Sequence, residues 1–237
     1  MKKILLFIAF ATASVALSAQ SLLGAWERLE TTGEGQTLRN VVIFADGFQS
    51  STWYDAETGA FLSTNGGSWS LDGSTLTEGV EFDTENAERV GTESSFEITL
   101  AENKLMLSGT DQVWTRIDDG TPGDLAGAWL ISGRMRDGEI RPMDTNRPRK
   151  TMKILSGTRF QWIAYNTETG EFFGTGGGTY TTVDGTYTEN IGFFSRDNSR
   201  VGASLEFDYE LKDGDWHHSG LSSRGSPIYE VWSRRGE

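Results

Sequence analysis

Residues 57–67 read ETGAFLSTNGG and residues 168–178 read ETGEFFGTGGG, so one motif returns after 111 residues. The same offset relates further pairs: Thr77-Glu78 and Thr188-Glu189, Arg89-Val90-Gly91 and Arg200-Val201-Gly202, Ser108-Gly109 and Ser219-Gly220, Phe82 and Phe193, Phe96 and Phe207, and Leu100 and Leu211. One spacing held over more than fifty residues is the signature of an internal repeat. The chain is therefore predicted to consist of two copies of one structural unit.

Strands and turns dominate the pattern inside each copy. Phe96, Ile98 and Leu100 alternate with polar residues, which indicates a strand with one buried face and one face in water. Asp46-Gly47 and Asp184-Gly185 are typical of hairpin turns. Because no segment shows a sustained helical stripe, we predict an all-β fold with roughly eight short antiparallel strands per repeat.

Four segments are predicted along the chain. Residues 1–19 resemble a signal peptide, with a basic start, an apolar stretch and a small-residue cleavage site after Ala19. Repeat 1 covers residues 20–118, residues 119–123 form a polar linker, and repeat 2 covers residues 124–237. We therefore expect export to the periplasm or outside the cell, and two repeats that fold separately.

Composition restricts the functional classes. The formal net charge is −13, which argues against binding to nucleic acid. No stretch after the apolar N-terminus is long enough to predict a transmembrane helix. The chain has no cysteine, so each repeat must be stabilised by its core. Residues 20–118 carry 5 basic and 17 acidic side chains, against 14 and 17 in residues 119–237, which suggests different ligands or surroundings.

Each repeat opens with Gly-Ala-Trp and closes with Trp-x-Arg. The opening Trp and the closing Arg are Trp26 and Arg116 in repeat 1, and Trp129 and Arg234 in repeat 2. This pattern resembles the lipocalin superfamily, specifically the small secreted bacterial type of lipocalin-like (calycin) domain. The resemblance implies two tandem eight-stranded barrels, each closed at one end by a Trp covered by an Arg. A cation–π contact would stabilise that closure. A generic β-sandwich with ordinary core and rim residues is the alternative.

One carboxylate is repeated on an otherwise apolar strand face in each copy. Period two places Glu78 with Leu76, Val80 and Phe82, and it places Glu189 with Tyr187, Ile191 and Phe193. A carboxylate inside a barrel must find hydrogen-bond donors or shift its pKa, as at a ligand site or an acid–base site. The candidate ligand-binding residues are Glu78, Glu189, Tyr187, Phe193, Phe207, Trp69 and Tyr180. The alternatives are structural carboxylates and aromatic residues that only pack the core.

Metal and cofactor chemistry finds little support. His217 and His218 are adjacent, so on an ideal strand they point to opposite faces and cannot share a metal. We expect no metal and no cofactor, and we assign no catalytic residue. The segment after the opening Trp is about eight residues longer in the second repeat, and it is rich in basic residues, at positions 134, 136, 141, 147, 149, 150, 153 and 159. It is interpreted either as a basic lid over the barrel mouth or as a surface that offsets the acidic first repeat.

These observations predict an exported lipocalin-like protein that binds a small, partly apolar ligand in a barrel cavity. Our sharpest hypothesis places an amphipathic ligand in the second repeat, with its polar group on Glu189. Two alternatives stay open. One is a non-catalytic module that binds a cell-envelope protein or glycan, and the other is a small-molecule enzyme that uses the buried Glu as acid or base.

Overall fold

A computed structural model describes residues 21–222 and 225–236. The predicted signal peptide, residues 1–19, lies outside the described residues. Eight strands form the first half: β1 (Gly24–Thr31), β2 (Thr37–Ala45), β3 (Phe48–Asp55), β4 (Phe61–Asp72), β5 (Thr75–Asp83), β6 (Glu93–Ala101), β7 (Lys104–Leu107) and β8 (Val113–Asp118). Each pairs antiparallel with the next, and β8 pairs with β1 to close the sheet. We call this sheet barrel 1.

Nine strands form the second half: β9 (Gly127–Arg136), β10 (Glu139–Pro142), β11 (Arg149–Leu155), β12 (Arg159–Asn166), β13 (Phe172–Val183), β14 (Thr186–Phe194), β15 (Ser204–Lys212), β16 (Asp215–Leu221) and β17 (Pro227–Arg234). Pairing of β17 with β9 closes eight of them into barrel 2, and β10 extends β9 as a hairpin. Single-turn 3₁₀ helices at Ala87–Arg89 and Asn198–Arg200 occupy equivalent positions. The predicted all-β fold of two eight-stranded antiparallel barrels is confirmed.

Glycine bulges redirect the repeated strand that carries Glu78 and Glu189. The β4–β5 register shifts at Gly66/Gly67, and the β13–β14 register shifts at Gly177/Gly178. Gly67 has a φ of +154°, and a Cβ there would lie 2.1 Å from the Gly79 carbonyl oxygen, so only glycine fits. Beyond the bulge, the side chains that strict alternation would place inside the barrel point outward instead. Leu76 therefore packs inside barrel 1, whereas Phe82 on the same strand packs between the barrels.

An apolar interface joins the two barrels, and its contacts are reciprocal. Tyr54 stacks on Phe193 at 5.0 Å between ring centroids, and Phe82 packs on Tyr165 at 4.9 Å. Since Tyr165 and Phe193 are the repeat counterparts of Tyr54 and Phe82, each barrel offers the same patch to the other. That is the geometry of an isologous dimer interface. Phe61 stacks on its own counterpart Phe172 at 6.2 Å, as expected near an approximate two-fold axis.

A polar cluster reinforces one side of this interface. The Tyr165 hydroxyl donates to Glu81 at 2.6 Å, and Arg235 donates to the other oxygen of Glu81 at 2.5 Å. At the end of β8, Asp118 accepts hydrogen bonds from Ser156, Gly157 and Thr158 in the β11–β12 turn. The linker region is thus anchored to barrel 2.

Among the residues described, no helix is long and apolar enough to cross a membrane.

Candidate functional site

An internal space lies in barrel 1. It is a cavity of about 330 Å³ that is partly open to solvent. Its apolar lining comprises Val42, Phe44, Trp53, Leu76, Phe96, Ile98, Leu105, Leu107 and Trp114, and its polar lining comprises Arg28, Asn40, Ser51, Asn65, Glu78, Arg89 and Gln112. An apolar cavity with a few polar groups, in this size range, is typical of a small-molecule site.

Side-chain size explains why the cavity is in barrel 1. The repeat offset aligns Val42, Leu76, Leu105 and Leu107 of barrel 1 with Lys153, Tyr187, Trp216 and His218 of barrel 2. Each barrel 1 residue is smaller than its counterpart. All four barrel 2 side chains are almost fully buried, so they occupy the volume that stays open in barrel 1. The two barrels therefore share a fold but differ in how far side chains fill their interiors.

Glu78 faces the barrel 1 cavity. Among the residues that the structure describes, its carboxylate has no hydrogen-bond donor and no ion-pair partner within 4 Å. Burial raises the pKa of the Glu78 carboxyl, and the charge of Arg89 partly opposes that shift. A charged group in this position is poorly compensated by the protein itself.

The two cations in the cavity wall already have acidic partners. Arg28 pairs with Glu30 and lies over the rings of Trp53 and Trp114, at 5.1 and 5.4 Å from their centroids. Arg89 donates to Asp83 at 2.8 Å.

Asn40 organises the polar side of the cavity. Its amide nitrogen donates to Ser51 at 2.9 Å and to the Thr52 carbonyl at 3.1 Å, and its carbonyl oxygen accepts from the Trp114 indole at 2.6 Å. These bonds fix the Trp114 ring in the cavity wall. A wall held in this way is preorganised, which reduces the entropy that a ligand must overcome on binding.

Glu189 has a different environment inside barrel 2. Lys153 donates to its Oε1 atom at 2.8 Å, and the Tyr187 hydroxyl donates to the same atom at 2.9 Å. The Lys153 ammonium also lies 4.9 Å from the Tyr187 centroid, 4.7 Å from that of Trp216 and 5.2 Å from that of Trp232. The carboxylate is thus neutralised and enclosed within an aromatic cage.

The hypothesis that placed the ligand in barrel 2 needs correction. Tyr187 and Phe207 do belong to the interior cluster of that barrel, but Phe193 does not. The bulge at Gly177/Gly178 turns Phe193 outward to the interface with barrel 1, where it stacks on Tyr54. Among the described residues, the barrel 2 interior is packed with buried side chains that include Trp129, Tyr187 and Trp216.

A Tyr or Arg within hydrogen-bond distance of Glu189 would favour the enzyme alternative. Tyr187 supplies such a partner, yet Glu189 is only 5% exposed and already accepts from Lys153. A substrate would have to displace that ion pair and the surrounding rings. This arrangement fits a structural ion pair better than an acid–base site.

Trp69 and Tyr180 lie near the closed ends of the barrels. The Trp69 indole donates to the carbonyls of Ala45 and Phe48 at 2.8 and 3.0 Å, and the Tyr180 hydroxyl donates to the Ser156 carbonyl at 2.5 Å. These bonds satisfy buried polar atoms and hold turns in place. Trp69 is not in the cavity wall, so both residues are better explained by core packing than by ligand contact.

The closed ends carry the Trp–Arg pairs. The Arg116 guanidinium lies 4.0 Å from the ring centroid of Trp26, and Arg234 lies 4.4 Å from that of Trp129. Both indoles are fully buried, and each donates to a carbonyl four residues earlier at 2.9 Å. The guanidinium groups also donate to backbone carbonyls of the opening segment, so each Arg ties the last strand to the first residues of its barrel.

His218 is a further buried titratable group in barrel 2. It packs between Tyr187, Phe207 and Trp216, and its Nδ1 atom lies 3.6 Å from Glu230 Oε2, beyond hydrogen-bond distance. Burial, with a further contribution from Lys153, lowers the pKa of His218 below its ordinary value. Neighbouring His217 contacts Tyr229 instead, at 2.9 Å.

The basic segment after the opening Trp of repeat 2 is divided between the surface and the core. Lys153 is buried beside Glu189, Arg149 lies over the Phe173 ring at 4.2 Å, and Arg134 pairs with Glu230 at 3.1 Å. The extra residues form the hairpin of β9 and β10. A single basic lid over the mouth is therefore an inaccurate description of this segment.

Sequence reasoning did not identify several residues that line the cavity, namely Arg28, Asn40, Trp53 and Trp114. Comparison of the two copies carried a usable signal, because Leu105 and Leu107 in repeat 1 are replaced by the larger Trp216 and His218 at the equivalent positions of repeat 2. Smaller residues in one copy indicate where the interior is open.

Comparison with known proteins adds a family match for one half. Residues 124–236 are similar to the family described as Domain of unknown function (DUF4488). The matched segment coincides with barrel 2 and its extra hairpin. No curated protein matches the chain.

Proposed function

We propose that this protein is a lipocalin-like binding protein that holds a small amphipathic molecule in the cavity of barrel 1. The observation that carries the proposal is the 330 Å³ cavity, which combines an apolar body with three charged side chains at Arg28, Glu78 and Arg89. Eight-stranded closed barrels and Trp–Arg pairs at their closed ends support the lipocalin-like assignment.

Barrel 2 acts as the rigid partner in this proposal. Its interior is filled, and its reciprocal interface buries the outer face of barrel 1 that carries Tyr54 and Phe82. Packing on both sides of β2 and β3 restrains two strands that supply cavity residues. A restrained wall favours a preformed site.

The test is a cavity-filling substitution with a matched surface control. Leu105→Trp introduces the residue that barrel 2 has at the equivalent position 216, and it should lower the affinity for octanol at least tenfold in calorimetry. Leu71→Trp makes the same change at an exposed position of the same barrel and should leave binding unchanged. Unfolding curves would establish that both variants fold, since overpacking costs about 1–3 kcal/mol. Equal octanol affinity in all three proteins would refute the cavity as the site.

A second candidate function belongs to the β9–β10 hairpin. Met135, Ile140 and Met143 are 39%, 44% and 41% exposed, beside Arg136 and Arg141. Exposed apolar side chains among cations suit a partner that carries anionic groups, such as an acidic glycan of the cell envelope. Retention on a heparin column in low salt, lost in an Arg136→Glu/Arg141→Glu variant, would support this role, and no retention of the wild type would exclude it.

Export stays a prediction. Mass spectrometry of the protein from its native host should give a mature chain that begins at Gln20, since the expected cleavage follows Ala19. A chain that retains residues 1–19 would contradict it.

A further inference from the structure

Barrel 2 shows what an occupied site would look like. Lys153 has a four-carbon aliphatic stem that ends in an ammonium, and this side chain lies inside the barrel with its nitrogen 2.8 Å from Glu189. Chemically, it is an alkylamine that the chain itself supplies. Its charge is balanced by the repeated carboxylate, and aromatic rings surround it.

Barrel 1 keeps the carboxylate and lacks the amine. Position 42, the counterpart of Lys153, is Val42, which lines the cavity. Glu78 occupies the place of Glu189 and has no partner among the described residues. The space that the longer side chains fill in barrel 2 is open here, directly beside a carboxylate whose charge is offset only in part, by Arg89.

The charged side chains of the cavity wall favour a ligand with a positive charge. Of the three charged side chains in its wall, Arg28 and Arg89 have acidic partners in Glu30 and Asp83. An anionic ligand would have to compete with those partners and would also lie near Glu78. A cation instead completes the one unpaired group, and charged hydrogen bonds of this kind are stronger than neutral ones.

We propose that barrel 1 binds an aliphatic primary amine, with its ammonium on Glu78 and its alkyl chain among Leu76, Ile98, Leu105 and Leu107. This inference rests on the proposed function, because it assumes that the cavity is a ligand site. The amine reproduces in barrel 1 the contact that Lys153 makes in barrel 2.

Charge and size agree with such a ligand. Residues 20–118 carry a net charge of −12, which attracts cations toward this barrel. At about 30 Å³ for a water-sized group, a cavity of 330 Å³ accommodates on the order of ten non-hydrogen atoms. A medium-chain alkylamine is of that size.

The test compares three probes of one chain length on the full protein by calorimetry: octylammonium, octanol and octanoate. Octylammonium should bind at least about tenfold more tightly than octanol, and octanoate should bind most weakly. Glu78→Gln keeps the shape of the side chain and should remove the preference for octylammonium, so that the ratio of octylammonium to octanol affinity in this variant falls to about one.

A second substitution tests the comparison with barrel 2 directly. Val42→Lys supplies the ammonium from the chain, so it should abolish octylammonium binding. Val42→Met has a similar length without charge and is its control, and it should retain the preference for octylammonium over octanol in whatever space remains. Retained tight octylammonium binding in Val42→Lys would contradict the proposed contact.

The outcomes separate the two proposals. If octanol binds and Leu105→Trp prevents it, but octylammonium binds no better than octanol, the amine inference is overturned while the cavity function stands. If none of the three probes binds, both proposals fall.

Discussion

Lys153 donates a 2.8 Å hydrogen bond to Glu189 in the interior of barrel 2, where each side chain is only 6% exposed. The equivalent positions of barrel 1 are Val42 and Glu78, so the same carboxylate faces an aliphatic side chain and a cavity. One repeat therefore uses the carboxylate as half of an internal ion pair, and the other leaves it available. This difference separates a filled barrel from an open one.

Removal of the buried carboxylate of barrel 2 should be costly. Glu189→Gln leaves the Lys153 ammonium buried without its counter-charge, and loss of one partner of a buried pair typically costs about 3–5 kcal/mol. We expect a loss of about 3 kcal/mol in the free energy of unfolding, measured by urea denaturation at pH 7.

Glu78→Gln is the matched control for that substitution. Because burial raises the pKa of Glu78, this group favours the folded state most at low pH, and that contribution is lost as the pH rises through the raised pKa. The neutral variant should therefore be at least as stable as the wild type at pH 7. Equal losses in the two variants would show that the two carboxylates have equivalent environments.

The closed ends should be structural. Trp129 is fully buried under Arg234, so Trp129→Ala should cost roughly 3–5 kcal/mol of unfolding free energy, as for other large aromatic truncations. Arg234→Ala removes a cation–π contact and a hydrogen bond and should cost about 1 kcal/mol. Denaturant melts monitored by tryptophan fluorescence would measure both. A loss below about 1 kcal/mol for Trp129→Ala would contradict this role.

Sequence reasoning reached the fold because the repeat and the strand periodicity are local signals. The 111-residue offset defined two units, and alternation at Phe96, Ile98 and Leu100 indicated strands. It failed at Phe193, because strict alternation assumes an unbroken pleat. Opposite Gly177/Gly178, β14 contains one extra residue, Gly192, and Phe193 beyond it packs against the other barrel.

The position of the cavity required a comparison of volumes, which strand periodicity does not provide. Alternation marks Leu105 as inward-facing, but it does not say whether the inward space is full. That property depends on the sum of side chains from many strands, including Trp216 and Tyr187 in the other copy. The ion pair of Lys153 was equally hidden, since its position within a segment rich in basic residues suggested exposure.

His218 should make barrel 2 sensitive to acid. Burial and the nearby Lys153 lower its pKa below the ordinary 6.5, while Glu230 and Glu189 oppose that shift. The unfolded chain then binds a proton at a higher pH than the folded chain does. Stability from this group is complete above pH 6.5 and is lost as the pH falls from there through the lowered pKa.

His218→Leu tests that dependence, because Leu107 is the residue that barrel 1 has at the equivalent position. Melts of the wild type should lose stability between pH 7 and pH 5 more steeply than melts of this variant. His217→Leu is the control on the same strand and should keep the wild-type slope. Identical slopes in all three proteins would exclude His218 as a source of acid sensitivity.

The interface between the barrels leads to the last prediction. Each barrel has its own interior cluster and its own Trp–Arg pair, so residues 20–118 and 124–237 produced as separate chains should each fold. Separation exposes the shared cluster that contains Tyr54, Phe82, Tyr165 and Phe193. Because these surfaces are complementary and apolar, the two chains should associate when mixed and co-elute in size-exclusion chromatography.

Phe193→Asp in the second chain should prevent co-elution, whereas Val183→Asp, at a position 60% exposed on the same barrel, should not. Two folded chains that never associate would mean that the interface depends on the covalent linker, and failure of both chains to fold would mean that the shared cluster is part of one indivisible core.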